Sequence, residues 1–66
     1  MPDSCYIVKY EDEFGRVRTH KDKYRGGIKE FYNYNTAHRI KVWFDKKGYQ
    51  ARVEVYRGWE RNLYKH

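Results

Sequence analysis

Aliphatic side chains are scarce in this chain of 66 residues, and that scarcity limits how a core can be built. The large aliphatic residues are Ile7, Val8, Val17, Ile28, Ile40, Val42, Val53, Val55 and Leu63. A domain of this length buries only about 60% of the surface that its unfolded chain exposes, so its core must be thin. Aromatic residues make up 20% of the sequence. We therefore expect one domain over residues 1–66, with rings filling much of its core.

The chain has a single cysteine, Cys5, next to the apolar pair Ile7 and Val8. One cysteine excludes an intramolecular disulfide and a zinc site with several cysteine ligands, which often stabilise domains of this size. We expect Cys5 to be a small buried hydrophobe rather than a nucleophile. The lack of covalent or metal cross-links leaves homodimerisation open.

The formal charge of +6 is concentrated after residue 14, because the first 14 residues contain four acids and only one lysine. Lysines and arginines bind polyanions by releasing counterions, and exposed rings stack on unpaired bases. The mixture favours a protein that binds nucleic acid, single-stranded or without sequence preference. Arg, Tyr and Trp are also typical of protein interface cores, so an inhibitor or adaptor that binds an acidic host protein is the alternative.

The first part of the chain predicts a β-hairpin followed by a loop. Residues 5–10 are rich in β-branched and aromatic types, and residues 11–15 end in a glycine suited to a turn. In the returning strand, residues 16–20, alternation places Arg16, Arg18 and His20 on one face. Residues 21–27 are polar, lack apolar periodicity and end in two glycines, which predicts a mobile basic loop.

Residues 36–47 fit two secondary structures. Alternation over residues 39–44 fits a strand, whereas Ala37, Ile40, Trp43 and Phe44 share one face of a helix. A helix would begin at an N-cap, Asn35 or Thr36, and end at two lysines and Gly48. These end signals favour the helix, and the strand remains the alternative.

The last clear element is a strand, because residues 49–56 alternate between apolar and polar types. The assembled prediction is an α+β fold of ββαβ type, with a small antiparallel three-stranded sheet and one helix on one face. If residues 36–47 were a strand, the protein would be an all-β small barrel or meander. Residues 60–66 would form a short basic and aromatic tail.

The second half of the chain resembles small bacteriophage-encoded accessory proteins. The resemblance lies in the aromatic stretch 31–37, Trp43-Phe44, Gly48-Tyr49 and the strand residues 53–55, which follow the order aromatic entry, capped helix, glycine and β-branched strand. It implies a non-enzymatic binder that acts on host or viral machinery in the host cytoplasm. It identifies no functional residues.

We predict a binding surface on the sheet face opposite the helix, where Arg16, Arg18 and Arg52 would contact phosphates and Tyr56 would stack on bases. The loop and the tail would add further contacts. The complete predicted nucleic-acid site is Arg16, Arg18, Lys21, Lys23, Arg25, Arg52, Tyr56, Arg57, Trp59 and Arg61.

Other functions have little support in the sequence. His20, His38 and His66 have no companion residues at metal-ligand or catalytic spacing, so we expect no enzyme activity, metal or cofactor. No apolar run approaches the length of a membrane span, and we expect a cytoplasmic protein without membrane contact.

Overall fold

The chain folds in the order ββαβ in a computed structural model, which describes residues 4–57. The elements are β1 (Ser4–Glu11), β2 (Val17–Thr19), α1 (Tyr34–Lys46) and β3 (Gln50–Arg57). The strands form one antiparallel sheet in the order β2-β1-β3, with α1 packed on β1 and β3. The predicted α+β fold is confirmed, and the all-β alternative is wrong.

The hairpin turn between β1 and β2 is organised by Asp12. Its Oδ1 accepts hydrogen bonds from the backbone N–H groups of Phe14 and Arg16, each 2.9 Å long. Gly15 follows with a φ of 78°, a left-handed conformation that glycine adopts without steric cost. The predicted turn is confirmed. The strand after it is shorter than expected, spanning Val17–Thr19 rather than residues 16–20.

Helix α1 begins earlier than predicted. Asn33 is the N-cap, and its side chain accepts a hydrogen bond of 2.8 Å from the backbone N–H of Asn35. The competing candidates Asn35 and Thr36 therefore lie inside the first turn. The helix ends at Lys46, and Gly48 follows with a φ of 95°, as the glycine suggested.

The main core lies between α1 and the sheet. Val8, Phe31, Ala37 and Phe44 are its buried residues, and partly buried tyrosines surround them. The ring of Tyr10 stacks on Phe44 with 4.2 Å between centroids. Aromatic residues thus fill much of the core, as the scarcity of aliphatic side chains predicted.

A second buried cluster lies on the sheet face opposite α1. It consists of Cys5, Ile7 and Tyr56, with Ile28 packed against them. Strand β1 therefore buries side chains on both faces, because Val8 belongs to the core under α1. Cys5 is 2% exposed, as expected for a small buried hydrophobe.

Within the described residues, α1 is the only α-helix, and it is neither long nor apolar enough to cross a membrane.

Candidate functional site

The predicted binding surface on the sheet is divided between two faces. Arg18 lies opposite Tyr10 in the pairing of β1 with β2, whereas Arg52 lies opposite Lys9 in the pairing of β1 with β3. Neighbouring residues of a strand point to opposite faces, and paired residues point to the same face. The prediction that Arg18 and Arg52 share a face is therefore wrong. Alternation within one strand shows which of its own residues share a face. It cannot show which residues of β2 and β3 share a face unless the register of each strand with β1 is known.

Three of the four cations on the sheet, Lys9, Arg18 and Arg52, are already paired with carboxylates. Lys9 Nζ lies 3.3 Å from Glu54, and Arg52 contacts the same carboxylate. Arg18 Nε lies 2.7 Å from Asp12. Burial alone would raise the pKa of Glu54, but the hydrogen bonds from Arg52 and Lys9 outweigh it and hold the pKa below its ordinary value. These pairs reduce the attraction of the sheet for an external anion.

Tyr56 is not available for stacking. It was predicted to present its ring to a base, but only 3% of the residue is exposed, and it packs with Cys5 and Ile7. The prediction failed because both faces of the sheet carry a buried cluster, so alternation along β3 does not separate buried from exposed residues. Arg16 is exposed in the turn before β2, with its guanidinium 5.7 Å from the centroid of the Phe14 ring.

The loop of residues 20–30 is hydrogen-bonded rather than irregular. Asp22 and Gly27 are joined by a backbone hydrogen bond of 2.8 Å, and the side chain of Asp22 accepts from the N–H groups of Tyr24 and Arg25. The bonds from Arg25 and Tyr24 lower the pKa of Asp22. The sequence predicted a mobile basic loop, but it did not predict the turn that Asp22 organises within that loop.

The loop presents its predicted cations to solvent. Lys21, Lys23 and Arg25 are exposed, and Tyr24 between them is 90% exposed. Beside them lies an open depression of about 500 Å³, lined in part by Tyr24, Arg25 and Tyr32. Of the remaining predicted residues, Arg57 is exposed at the end of β3, and Trp59 and Arg61 lie outside the described residues.

A second basic and aromatic surface lies on the side of α1 that faces away from the sheet. We call it the outer face of α1 and define it as His38, Arg39, Val42, Trp43, Lys46 and Lys47. The first five line a shallow groove of about 340 Å³. Their spacing of three and four residues places them side by side, because these intervals return to the same side of a helix. Arg39 and Lys46 lie roughly 10 Å apart along the helix axis.

Trp43 is the exposed ring of this outer face. It was predicted to lie on the buried face with Ala37, Ile40 and Phe44, but it is 50% exposed. The ring of Trp43 packs edge-to-face against Phe44, with 4.9 Å between the ring centroids, and this contact holds it beside the core. Lys47 Nζ lies over the ring at 4.7 Å from the centroid. Trp43 therefore combines a held position with a solvent-exposed surface.

No carboxylate belongs to the outer face of α1. Asp45, the only acid of the helix, lies next to this face on the stripe of His38 and Lys41, where it is 2.6 Å from Lys41 Nζ and accepts a hydrogen bond from the N–H of Ala51. These two contacts lower the pKa of Asp45 and keep it ionised. Within residues 4–57, no ion pair joins Arg39, Lys46 or Lys47 to an acid.

Paired and unpaired cations are thus distributed unequally over the structure. Among residues 4–57, ion pairs hold Lys9, Arg18 and Arg52 of the sheet, together with Lys29 and Lys41. The described cations without an ion pair are Arg16, Lys21, Lys23, Arg25, Arg39, Lys46, Lys47 and Arg57. The predicted site missed Arg39, Lys46 and Lys47, although a helical projection of residues 34–46 would have placed Arg39 and Lys46 opposite Ala37 and Phe44.

The described part of the chain contains no group of three or more His, Cys, Asp or Glu residues that could hold a metal ion. Comparisons with protein-family models, with curated proteins and with solved structures found no match. The resemblance to small bacteriophage-encoded proteins stays a prediction.

Proposed function

We propose that this protein binds nucleic acid without sequence preference, using the outer face of α1 as its principal contact surface. The observation that carries the proposal is the unneutralised charge of Arg39, Lys46 and Lys47 around the exposed ring of Trp43. Cations without acidic partners can exchange their counterions for phosphates. The proposed role of this surface is to bind nucleic acid, and we assign none of its side chains a role in catalysis.

The geometry of the outer face suits a flexible single strand. Arg39 and Lys46 lie far enough apart along the helix to contact separate phosphates. The apolar surface of Val42 and Trp43 between them can accept the face of an unpaired base, a contact worth about 1–3 kcal/mol per base. A duplex keeps its bases stacked, so we expect weaker binding of duplex than of single strands.

The test measures fluorescence anisotropy of labelled oligonucleotides, single-stranded and duplex, at low and physiological salt. The variant Arg39→Gln/Lys46→Gln removes two unpaired cations. We expect it to lower the affinity at low salt about tenfold and to reduce the slope of log K against log salt by about 1.4, since each phosphate contact of a single strand contributes about 0.7.

The matched control is Arg18→Gln/Arg52→Gln, which removes the same charge from cations already paired with Asp12 and Glu54. We expect it to change the affinity less than about twofold. Equal losses in the two variants would show that only net charge matters and would contradict a site on α1. Absence of binding by the wild-type protein even at low salt would contradict the proposed function and favour the acidic protein partner.

A further inference from the structure

Strand β3 has an open edge. Ala51 donates its N–H to Asp45, away from β1, so the odd-numbered residues of β3 direct their backbone groups outward. Within the described residues, the outward N–H and C=O groups of Val53 and Val55 have no hydrogen-bond partner. Such an edge is a template for pairing with another strand.

Exposed apolar side chains lie beside this edge on the side that carries α1. Val55 is 52% exposed, although it shares the face of Val53, which packs in the core. Tyr34 is 51% exposed, and it lies on the same stripe of α1 as His38, Lys41 and Asp45. Because Asp45 reaches Ala51 over the outer side of β3, this stripe also faces the edge. A strand added there would cover both apolar residues.

The sequence of β3 complements itself in one antiparallel register. We propose that a second copy of this chain pairs along β3, with Val53 opposite Val53 on a twofold axis. In this register, each Arg52, which contacts Glu54 of its own strand, also lies opposite Glu54 of the second copy, so that it would bridge the two carboxylates in two reciprocal cross-strand ion pairs. Centring the axis on Glu54 would place like charges opposite each other. The N–H of Ala51, which donates to Asp45 in the single chain, would instead donate to the carbonyl of Val55 in the second copy.

The dimer would be a continuous six-stranded sheet with both helices on the same side. Strands pair at about 4.8 Å, and α1 packs on both β1 and β3, so the two helices would lie about 10 Å apart, a normal packing distance. An interface that uses the same patch on both copies closes on itself and stops at two chains. This inference does not depend on nucleic-acid binding.

The experiment is sedimentation equilibrium of the full chain over a roughly hundredfold range of concentration. We expect the mass to rise from 8.2 kDa towards twice that value. Val55→Lys should weaken the dimer at least tenfold, because it places a charge in the paired edge. The control is Val17→Lys, since Val17 is 54% exposed but lies in β2, at the other side of the sheet.

The register is tested by charge exchange. Arg52→Glu and Glu54→Arg should each leave the protein monomeric, and an equimolar mixture of the two should recover the dimer mass, because each acid then faces an arginine. Circular dichroism of each variant checks that it folds. A wild-type mass of 8.2 kDa at all concentrations overturns the dimer, as would equal weakening by Val17→Lys and Val55→Lys. Unimpaired dimerisation of Arg52→Glu alone overturns the register.

Discussion

Two rings that look alike in the sequence have different roles in the structure. Tyr56 and Trp43 both stand among arginines and lysines, but Tyr56 is 3% exposed and Trp43 is 50% exposed. The difference arises from the layers around them: Tyr56 packs in the cluster opposite α1, and Trp43 lies at the margin of the core. Aromatic composition therefore does not identify which rings are exposed.

Substitution by alanine separates the two roles. Tyr56→Ala should lower the free energy of unfolding by about 3 kcal/mol, because it leaves a cavity in a buried cluster. Trp43→Ala should cost about 1 kcal/mol or less and should weaken binding of single strands. Urea denaturation measures the first effect and anisotropy the second. If the Tyr56→Ala protein were stable but no longer bound single strands, the result would contradict the structural role of Tyr56 and place it in the binding site.

At the scale of elements, the sequence predicted the order of strands and helix because its local signals agree with the fold. The turn glycine, the alternation of residues 49–56 and the glycine after α1 each act over a few residues. The face of α1 was harder to predict, since Val42 and Trp43 extend the apolar stripe around the helix. Pairing across the sheet was beyond the sequence, because the register joins residues far apart in the chain.

The end of α1 depends on the backbone conformation of Gly48. Its φ of 95° is strained for any residue with a Cβ atom, yet nothing lies within 4 Å of the position that this atom would occupy. Gly48→Ala should thus lower the free energy of unfolding by about 1 kcal/mol through backbone strain alone. Thermal unfolding followed by circular dichroism measures the loss. Lys46→Ala, in the last turn of the helix, is the control and should change stability by less than about 0.5 kcal/mol.

At the scale of the whole molecule, the described cations divide into a group held in ion pairs, which includes three of the four on the sheet, and a group without ion pairs, most of which lies in the loop and at α1. The carboxylates of Asp12, Asp22 and Asp45 all have lowered pKa values, because hydrogen bonds from neighbouring groups stabilise their charged forms. Their contributions to stability are present above their unfolded pKa values and are lost only in more acidic solution, below about pH 4. Near neutral pH, these three carboxylates are therefore ionised.

His20 makes the stability of the fold depend on pH in a higher range. Burial beside Phe31 and Phe44, with the ammonium of Lys29 nearby, lowers the pKa of its ring. The unfolded chain then binds a proton at His20 more readily than the folded chain, so stability should fall as pH decreases below about 6.5.

Melting temperatures between about pH 7.5 and 5 test this expectation, because the carboxylates stay ionised over most of that range. His20→Phe should flatten the dependence, whereas the exposed control His38→Gln should preserve it. An unchanged pH dependence in His20→Phe would assign the effect to another group.

Because Cys5 is buried, the reactivity of its thiol depends on local opening of the structure around it. The only thiol of the protein lies in the central strand, 2% exposed, with its sulfur directed at the carbonyl of Tyr56. Only molecules in which this cluster has opened can present the thiolate to an oxidant or an alkylating reagent. The rate at which the sulfur is modified therefore measures how often this cluster opens, and the measurement needs no added label.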